Sequence, residues 1–371
     1  MSGERTLTKD GTKRTGAVKR RDVLKGAGVG AAALAFPAVL TPRKTRAAEK
    51  LVVRDPGGPF EKAFQEAFYK PFTKETGIEI VGVAGQHEPV AIVKGMVETK
   101  AYQWDCTILG YSTQETLRTQ GFLEELKLDG DASVAEIPKE FRTPTMVGSD
   151  VYATVLAYRT DFYPAKGKAP TGGWKDLWDL KGVPGRRGMR KYPQDTLEEA
   201  LLADGVPGDK LYPLDIDRAF NSLAKIKKDV AIWWTGGAQT SQMLKTGEVD
   251  MCATWNGRAQ AAIDDGGPVA ISWNQGLWAY EGWCIPRGAP KIDLARKFIS
   301  FCSRADRQAA YTPFLAYGPP NPNAFKHIDP KRAALLPTFP DNLKQMYRID
   351  AAWWGTVQEK VLERFNQWML G

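Results

Sequence analysis

Two histidines and four cysteines in 371 residues leave little room for several chemistries. His87 and His327 are far apart and neither sits in a carboxylate-rich motif, so no metal-ligand spacing is written in the chain. Cys106, Cys252, Cys284 and Cys302 form no Cys-x-x-Cys pair and are too few to frame a disulfide scaffold of this length. They read as buried small hydrophobes, with room for one disulfide in an oxidising compartment. No Gly-x-Ser-x-Gly elbow, Walker loop or His-Glu-x-x-His helix occurs. The acid pairs Glu124-Glu125, Glu198-Glu199 and Asp264-Asp265 have the composition of a glycosidase pair, but each falls on a polar helix face or in a turn and reads as solvated surface. Beyond residue 47 there is also no apolar run long enough for a membrane helix.

Net charge is lacking there too. Residues 1–47 hold eleven Lys or Arg against three acids, which accounts for the whole formal charge of +8. The balanced remainder offers no basic face for nucleic acid. Within the basic stretch, Lys19-Arg20-Arg21-Asp22-Val23-Leu24-Lys25 precedes an apolar run over 26–40, and small residues follow at Ala47-Ala48. This order resembles a twin-arginine export signal, with Val23 in the place of the usual Phe. It predicts a signal peptide over 1–47, the twin-arginine translocase as a partner, and a periplasmic location. Gly26-Ala27-Gly28-Val29-Gly30 imitates a dinucleotide loop, but no strand precedes it and the spacing is wrong.

The rest of the chain has the 43% apolar and 25% charged composition of a globular protein. Leu51-Val52-Val53 predicts a strand. Phe60, Phe64, Phe68 and Phe72 predict one buried stripe of a helix that stops at Thr76-Gly77. A strand over 78–83, a helix over 89–100 and a strand over 106–109 complete a β-α-β-α-β run, the opening of a parallel, doubly covered sheet. Ligands at such sheets sit beyond the carboxyl ends of the strands, so the loops at 54–59, 85–88 and 110–113 are the ones to watch. An alternating strand over 152–158 starts a new series: helices over 174–180, 196–202 and 215–228, strands over 249–254 and 277–285, a helix in the 290s and a C-terminal amphipathic helix around Val357, Val361, Phe365 and Trp368. Two α/β lobes joined by crossing strands fit this order, with a ligand cleft between them. The expected division is 48–150 plus 285–315 for one lobe and 151–284 plus 316–371 for the other.

Aromatics are the positive signal. Of twelve tryptophans, most belong in cores, but Trp104, Trp233-Trp234, Trp255, Trp273, Trp278 and Trp283 fall where strands are expected to end. A ring at a cleft edge can stack on a sugar or attract an ammonium group. The interleaved carboxylates Asp105, Asp195 and Glu281 favour an amine. Gly57-Gly58 and Gly236-Gly237, each ahead of a helix, can present backbone N–H groups to an anion or serve as plain turns.

Pro71-Phe72-Thr73-Lys74-Glu75-Thr76-Gly77-Ile78, within 62–80, resembles the first helix and second strand of bacterial extracellular solute-binding proteins of ABC importers. Trp174-Lys175-Asp176-Leu177-Trp178, Trp255-Asn256-Gly257, Ile285-Pro286 with Ala289, the run from Ala295 to Phe301, and Tyr317-Gly318-Pro319-Pro320-Asn321 look like landmarks of the spermidine/putrescine-binding branch, in the family's order. The resemblance implies a periplasmic binding protein fold of the type II-like kind, each lobe a mixed, mostly parallel sheet flanked by helices. It implies no enzyme activity and no cofactor, a monomer, and a small amine-bearing solute such as putrescine or spermidine handed to a membrane permease. It places Trp255 against the solute's carbon chain, Glu281 on its ammonium group, and Asp195 near a second acidic ligand residue.

Tyr111, Asp55, Gly58 and Trp278 complete the candidate ligand-binding set. Three departures from the branch also admit a zwitterion such as an amino acid. Ala279 stands where polyamine binders stack a Trp, and Trp278 beside it belongs to the other face of its strand. The loop after the first strand is Arg54-Asp55-Pro56-Gly57-Gly58 in place of an aromatic-rich one. Arg190, Lys191 and Arg258 fall near the expected site. The competing classes are a twin-arginine-exported cofactor enzyme and a periplasmic sensor using the same lobes.

Because a receptor reads the geometry of the arginine pair as well as its charge, changing Arg20→Lys together with Arg21→Lys is expected to leave unprocessed precursor in the cytoplasm. Cell fractionation checks this; normal periplasmic accumulation of the double variant overturns the export reading.

Overall fold

The structure, a computed structural model, describes residues 49–371 apart from 86, 87 and 164. The signal reading over 1–47 and His87 lie outside the described residues. Strand β1 (Lys50–Asp55) is followed by a helical run over 59–76 that begins with Pro59 in its first turn and ends at Gly77, whose φ of 73° closes the helix in the left-handed conformation glycine adopts freely. Phe60, Phe64, Phe68 and Phe72 are all at most 1% exposed. A π turn over Gln65–Tyr69 adds a residue to the winding, so that Tyr69 as well as Phe68 turns inward.

β1 pairs in parallel with β2 (Glu79–Ala84) and β3 (Cys106–Gly110). The remaining strands are β4 (Arg142–Thr143), β5 (Met146–Arg159), β6 (Arg187–Arg190), β7 (Val230–Trp234), β8 (Met251–Trp255), β9 (Val269–Cys284) and β10 (Tyr347–Arg348). One sheet runs β2-β1-β3-β9-β5-β8-β6-β7, with β10 beside β9 and β4 beside β5. The antiparallel pair β5–β9 lies at its centre, where β9 pairs with β3 through Cys284–Glu281 and β5 pairs with β8 through Thr154–Tyr158. β6 is parallel to β7 and β8. The architecture is therefore a two-lobed α/β fold with mostly parallel wings and two long strands that run from one lobe into the other.

Each lobe has its own core. The first gathers the four phenylalanines around Trp283, Phe298 and Tyr311. The second gathers Trp174, Leu197, Leu201, Leu223 and, from the C-terminal helix Ala351–Leu370, Trp354 and Phe365. All four cysteines are buried free thiols.

Several expectations need correction. The strand expected over 277–285 begins at Val269, because Trp273-Asn274-Gln275-Gly276 makes no turn. Gln275 takes a φ of 62°, and the β5–β9 ladder shifts register between Thr154 and Leu156 before it continues. The helix expected over 174–180 is cut to Lys175–Trp178. β6 carries no apolar run because the Arg187 guanidinium fills its buried end, donating to the carbonyls of Leu177 at 2.7 Å, Asp179 at 2.9 Å and Val183 at 2.6 Å. Glu198 and Glu199 are fully buried rather than solvated, because the helix Pro193–Ala203 is covered on every side. Oε1 of Glu198 accepts from the Tyr212 hydroxyl at 2.5 Å and the Trp354 indole at 2.6 Å.

Asn256, fully buried, ties the crossing strand to the segment that runs alongside it. Its Oδ1 accepts from the Ala153 N–H at 3.0 Å and its Nδ2 donates to the Ala316 carbonyl at 2.6 Å. Asn256→Ala leaves both backbone groups buried and unanswered, and a loss of about 2–4 kcal/mol is expected. Equilibrium denaturation measures it; a loss below about 0.5 kcal/mol, the scale of a surface change, overturns this role.

Candidate functional site

The carboxyl ends of β1, β6 and β8 and the middle of the crossing strands converge on one cluster of charged and aromatic side chains. β6 ends in Arg190, whose guanidinium carbon lies 4.5 Å from the Tyr192 ring centroid and 4.9 Å from that of Trp255. It is thus clamped between two π faces. Its Nη1 donates to Oδ2 of Asp195 at 2.9 Å. Asp195 is fully buried and takes a φ of 74°, a conformation seldom held by a residue with a side chain. That strain turns its carboxylate back toward β6, and the regular helix starts after it. Burial raises the Asp195 carboxyl, while Arg190, Thr154 and Trp255 pull it down.

Trp255 ends β8 and heads the helix Asn256–Asp264. Its ring is set edge-on to Trp234, 5.4 Å between centroids, and to Tyr152 at 6.5 Å. Two glycines make room for this arrangement. A Cβ on Gly237 would fall 2.7 Å from Cζ3 of Trp255 and 2.9 Å from Nε of Arg258, and one on Gly257 would fall 2.6 Å from Cε1 of Tyr317.

On the first lobe, Arg54 at the end of β1 is fully buried. Its Nη1 donates to the Ile108 carbonyl at 2.8 Å, and its charge is felt by Glu281 and Glu88. Glu281 sits on β9 between Gly110 of β3 and Asp150 of β5 in the register, only 2% exposed. Burial first, then Glu88, pushes its carboxyl up to about 8, against the pull of Arg54 and Arg258. Glu88, in the loop after β2, approaches from above: a Cβ on Gly110 would lie 3.4 Å from its Oε1. Glu88 keeps solvent-accessible surface, yet the protein around it pushes its carboxyl up to about 7, opposed by Arg190 on the second lobe and Arg54 on the first.

Of the residues singled out from sequence, Trp255, Asp195 and Glu281 meet here, and Arg190 and Arg258 join them. Four do not. Asp55 is buried as an anchor of its own loop, with Oδ1 accepting from the Gly57 N–H at 2.8 Å and Oδ2 from the Tyr69 hydroxyl at 2.9 Å. Gly58 precedes the helix at Pro59 with a φ of 60°, a turn residue. Trp278 and Tyr111 lie on the opposite face of the sheet, since 278 and 280 alternate with 279 and 281 along β9. There Tyr111 packs on Tyr280 at 4.7 Å, and the Arg348 guanidinium rests over Tyr111, Trp278 and Tyr280 at 5.8, 5.4 and 6.0 Å. Tyr152 and Tyr192 were not singled out, and they have no local signature. Arg54 and Glu88 entered only as members of the 54–59 and 85–88 loops, and Tyr317 only as part of the landmark Tyr317-Gly318-Pro319-Pro320-Asn321. Among the described residues no group of His, Cys, Asp and Glu is arranged to hold a metal ion.

Chemically, the cluster has aromatic walls, guanidinium groups from both lobes and buried carboxylates within one space, and among the described residues no side-chain trio set for nucleophilic attack. It is built to hold a small charged molecule. Residues 67–338 match the family of bacterial extracellular solute-binding proteins. The chain is 34% identical over 332 residues, 86% of its own length and 91% of the relative's, to the gamma-aminobutyric acid-binding protein of Pseudomonas aeruginosa. It is 24% identical over 276 residues, 73% of its length and 78% of the relative's, to the spermidine/putrescine-binding periplasmic protein of Escherichia coli. A solved GABA receptor structure superposes with a TM-score of 0.80 at 33% identity, covering 86% of this chain and 98% of that one.

Glu198 at about 7 and Glu281 at about 8 both lie above the ordinary glutamate value of 4.5. Each binds its proton more tightly in the folded chain, so its contribution to stability is complete below 4.5 and is lost as pH rises through 7 to 8. The carboxyls held low, Asp204, Asp250 and Asp306, act only below this window. The melting temperature of the empty protein is therefore expected to fall between pH 5 and 8.5. Glu198→Gln, which keeps an acceptor for Tyr212 and Trp354, should flatten the slope. A melting temperature that rises over this range contradicts the assignment.

Proposed function

This chain belongs to the bacterial extracellular solute-binding proteins, the substrate-binding components of ABC transporters, and from that premise we propose that its solute is a zwitterion whose ammonium and carboxylate groups are held apart, as in 4-aminobutyrate. The observation that carries this reading is that Arg54, Arg190 and Arg258 share the cleft with the carboxylates. A polyamine brings only positive charge, and guanidinium groups enclosed with it would oppose its entry at close range and low dielectric. A zwitterion uses both signs. Its carboxylate meets the Arg190 fork, whose planar donors suit it. Its ammonium lies toward Glu281 and Glu88, and Trp255 and Tyr152 cover the carbon chain between.

The relative whose name specifies gamma-aminobutyric acid covers more of the chain at higher identity than the polyamine-binding one, which supports the same choice. The role is then capture outside the cytoplasmic membrane, as a monomer, and delivery to a permease. Export by the twin-arginine translocase belongs to the same proposal. No transformation of the solute is involved, in keeping with relatives that are binding proteins.

Calorimetric titration with 4-aminobutyrate, putrescine, spermidine and a neutral sugar tests the reading. 4-Aminobutyrate is expected to bind most tightly and, at 100 times its Kd, to stabilise the protein by about 2.7 kcal/mol. Arg190→Gln should weaken it by tenfold or more, about 1.4 kcal/mol or above. Tighter binding of either polyamine, or unchanged affinity in Arg190→Gln, refutes the assignment.

A further inference from the structure

We propose that Asp150 and Glu281, carried on the two crossing strands, hold one proton between them, so that the floor of the cleft keeps a single negative charge and selects a solute with one ammonium group against a diamine. This rests on the zwitterion reading and adds to it the device that enforces the charge.

The two residues are direct register partners in the antiparallel β5–β9 ladder, so their side chains leave the sheet on the same face at neighbouring positions. The register shift between Gly148 and Asp150 leaves Ser149 as an extra residue and sets Asp150 opposite Glu281. Asp150 is fully buried and Glu281 nearly so. Neither oxygen of the Asp150 carboxyl has a hydrogen-bond partner. Two carboxylates so placed and shut off from water do not both ionise at neutral pH.

The surrounding charges decide which keeps the proton. Glu281 faces Arg54 from β1, Arg258 from the helix Asn256–Asp264, Glu88 from the loop after β2, Tyr152 on β5 and Tyr317. Asp150 faces Glu281, the Ser149 hydroxyl, Tyr311 from the helix Ala305–Tyr311, and Tyr317, with no cation among them. The rise of the Glu281 carboxyl to about 8 is then the upper step of the pair, at which the shared proton leaves; below it the cations favour the charged form of Glu281 and the proton rests on Asp150. With Arg190 answered by Asp195, the charges of Arg54 and Arg258 then meet those of Glu281 and Glu88. A solute of zero net charge enters without disturbing this balance. A diamine brings two positive charges, and the pair answers one of them only by releasing its proton.

Two measurements on the full folded chain decide the matter. In the empty protein with carbon-13-labelled carboxyl groups, NMR should show Asp150 and Glu281 titrating in two separated steps. Asp150→Asn should move the Glu281 titration down by about one pH unit or more, and Glu281→Gln should do the same for Asp150, so that one variant still reports if the other fails to fold. An unchanged titration in the surviving variant overturns the pair. In the second measurement, calorimetry in buffers of different ionisation heat should find wild-type affinity for putrescine rising about tenfold from pH 6.5 to 8.5 with release of a proton, and affinity for 4-aminobutyrate changing less than threefold. Putrescine binding without proton release overturns the selection. If 4-aminobutyrate does not bind at all, the zwitterion reading fails, while the titration of the empty protein still decides the pair.

Discussion

Everything in this molecule depends on two strands that cannot belong to one lobe. β5 and β9 pair along most of their length, yet they are joined by different wings of the sheet, β9 by β3 and β5 by β8. They must therefore be apolar enough to be buried on both faces and irregular enough to pass between two cores. Their register shifts are where the side chains re-aim. Once the pair is laid down, the cleft has a floor, and the residues at that floor, Asp150, Tyr152, Ala279 and Glu281, are fixed by backbone hydrogen bonds rather than by loops. Asn256 adds a clasp from the second lobe to the same strand.

That floor explains the tolerance for buried charge. Asp150, Asp195, Glu281 and Arg54 are all nearly or fully shielded from solvent, an arrangement that a packed core avoids. Here the charges answer one another across the cleft, and burial shifts the carboxyls upward. The aromatic rings do a second job. Tyr192 and Trp255 hold the Arg190 guanidinium by its faces and leave its donor edge for Asp195 and the cleft.

How far the sequence could be read follows from the range of the forces involved. The phenylalanine stripe, the Gly77 stop and the β-α-β-α-β opening were legible because periodicity and turn chemistry are local. Trp255, Asp195 and Glu281 were legible through their resemblance to a family pattern, and Arg190 and Arg258 through their neighbourhood to it. β6 was hidden because its buried position is made habitable by Arg187 bonding to the carbonyls of Leu177, Asp179, Val183 and Gly185, a set of contacts no window of sequence shows. Asp55 looked like a ligand residue for the opposite reason: its partners, Gly57 and Tyr69, are a turn and a helix away, and only the fold shows that they already occupy it. Tyr111 and Trp278 were led astray by proximity in the chain, where one position along a strand is the difference between two faces of a sheet. Glu198 and Glu199 looked solvated, but their helix is covered on every side, and the C-terminal helix brings Trp354 against Glu198.

The clamped Arg190 has a kinetic consequence. Its orientation is set by Tyr192, Trp255 and Asp195, all on the second lobe, so on the proposed reading a solute carboxylate would meet a finished receptor before the first lobe takes part. Glu88 and Arg54 engage from the other side. On that reading capture and retention would fall to different walls: the speed of arrival to access to one lobe, and the duration of the stay to how often the other swings away.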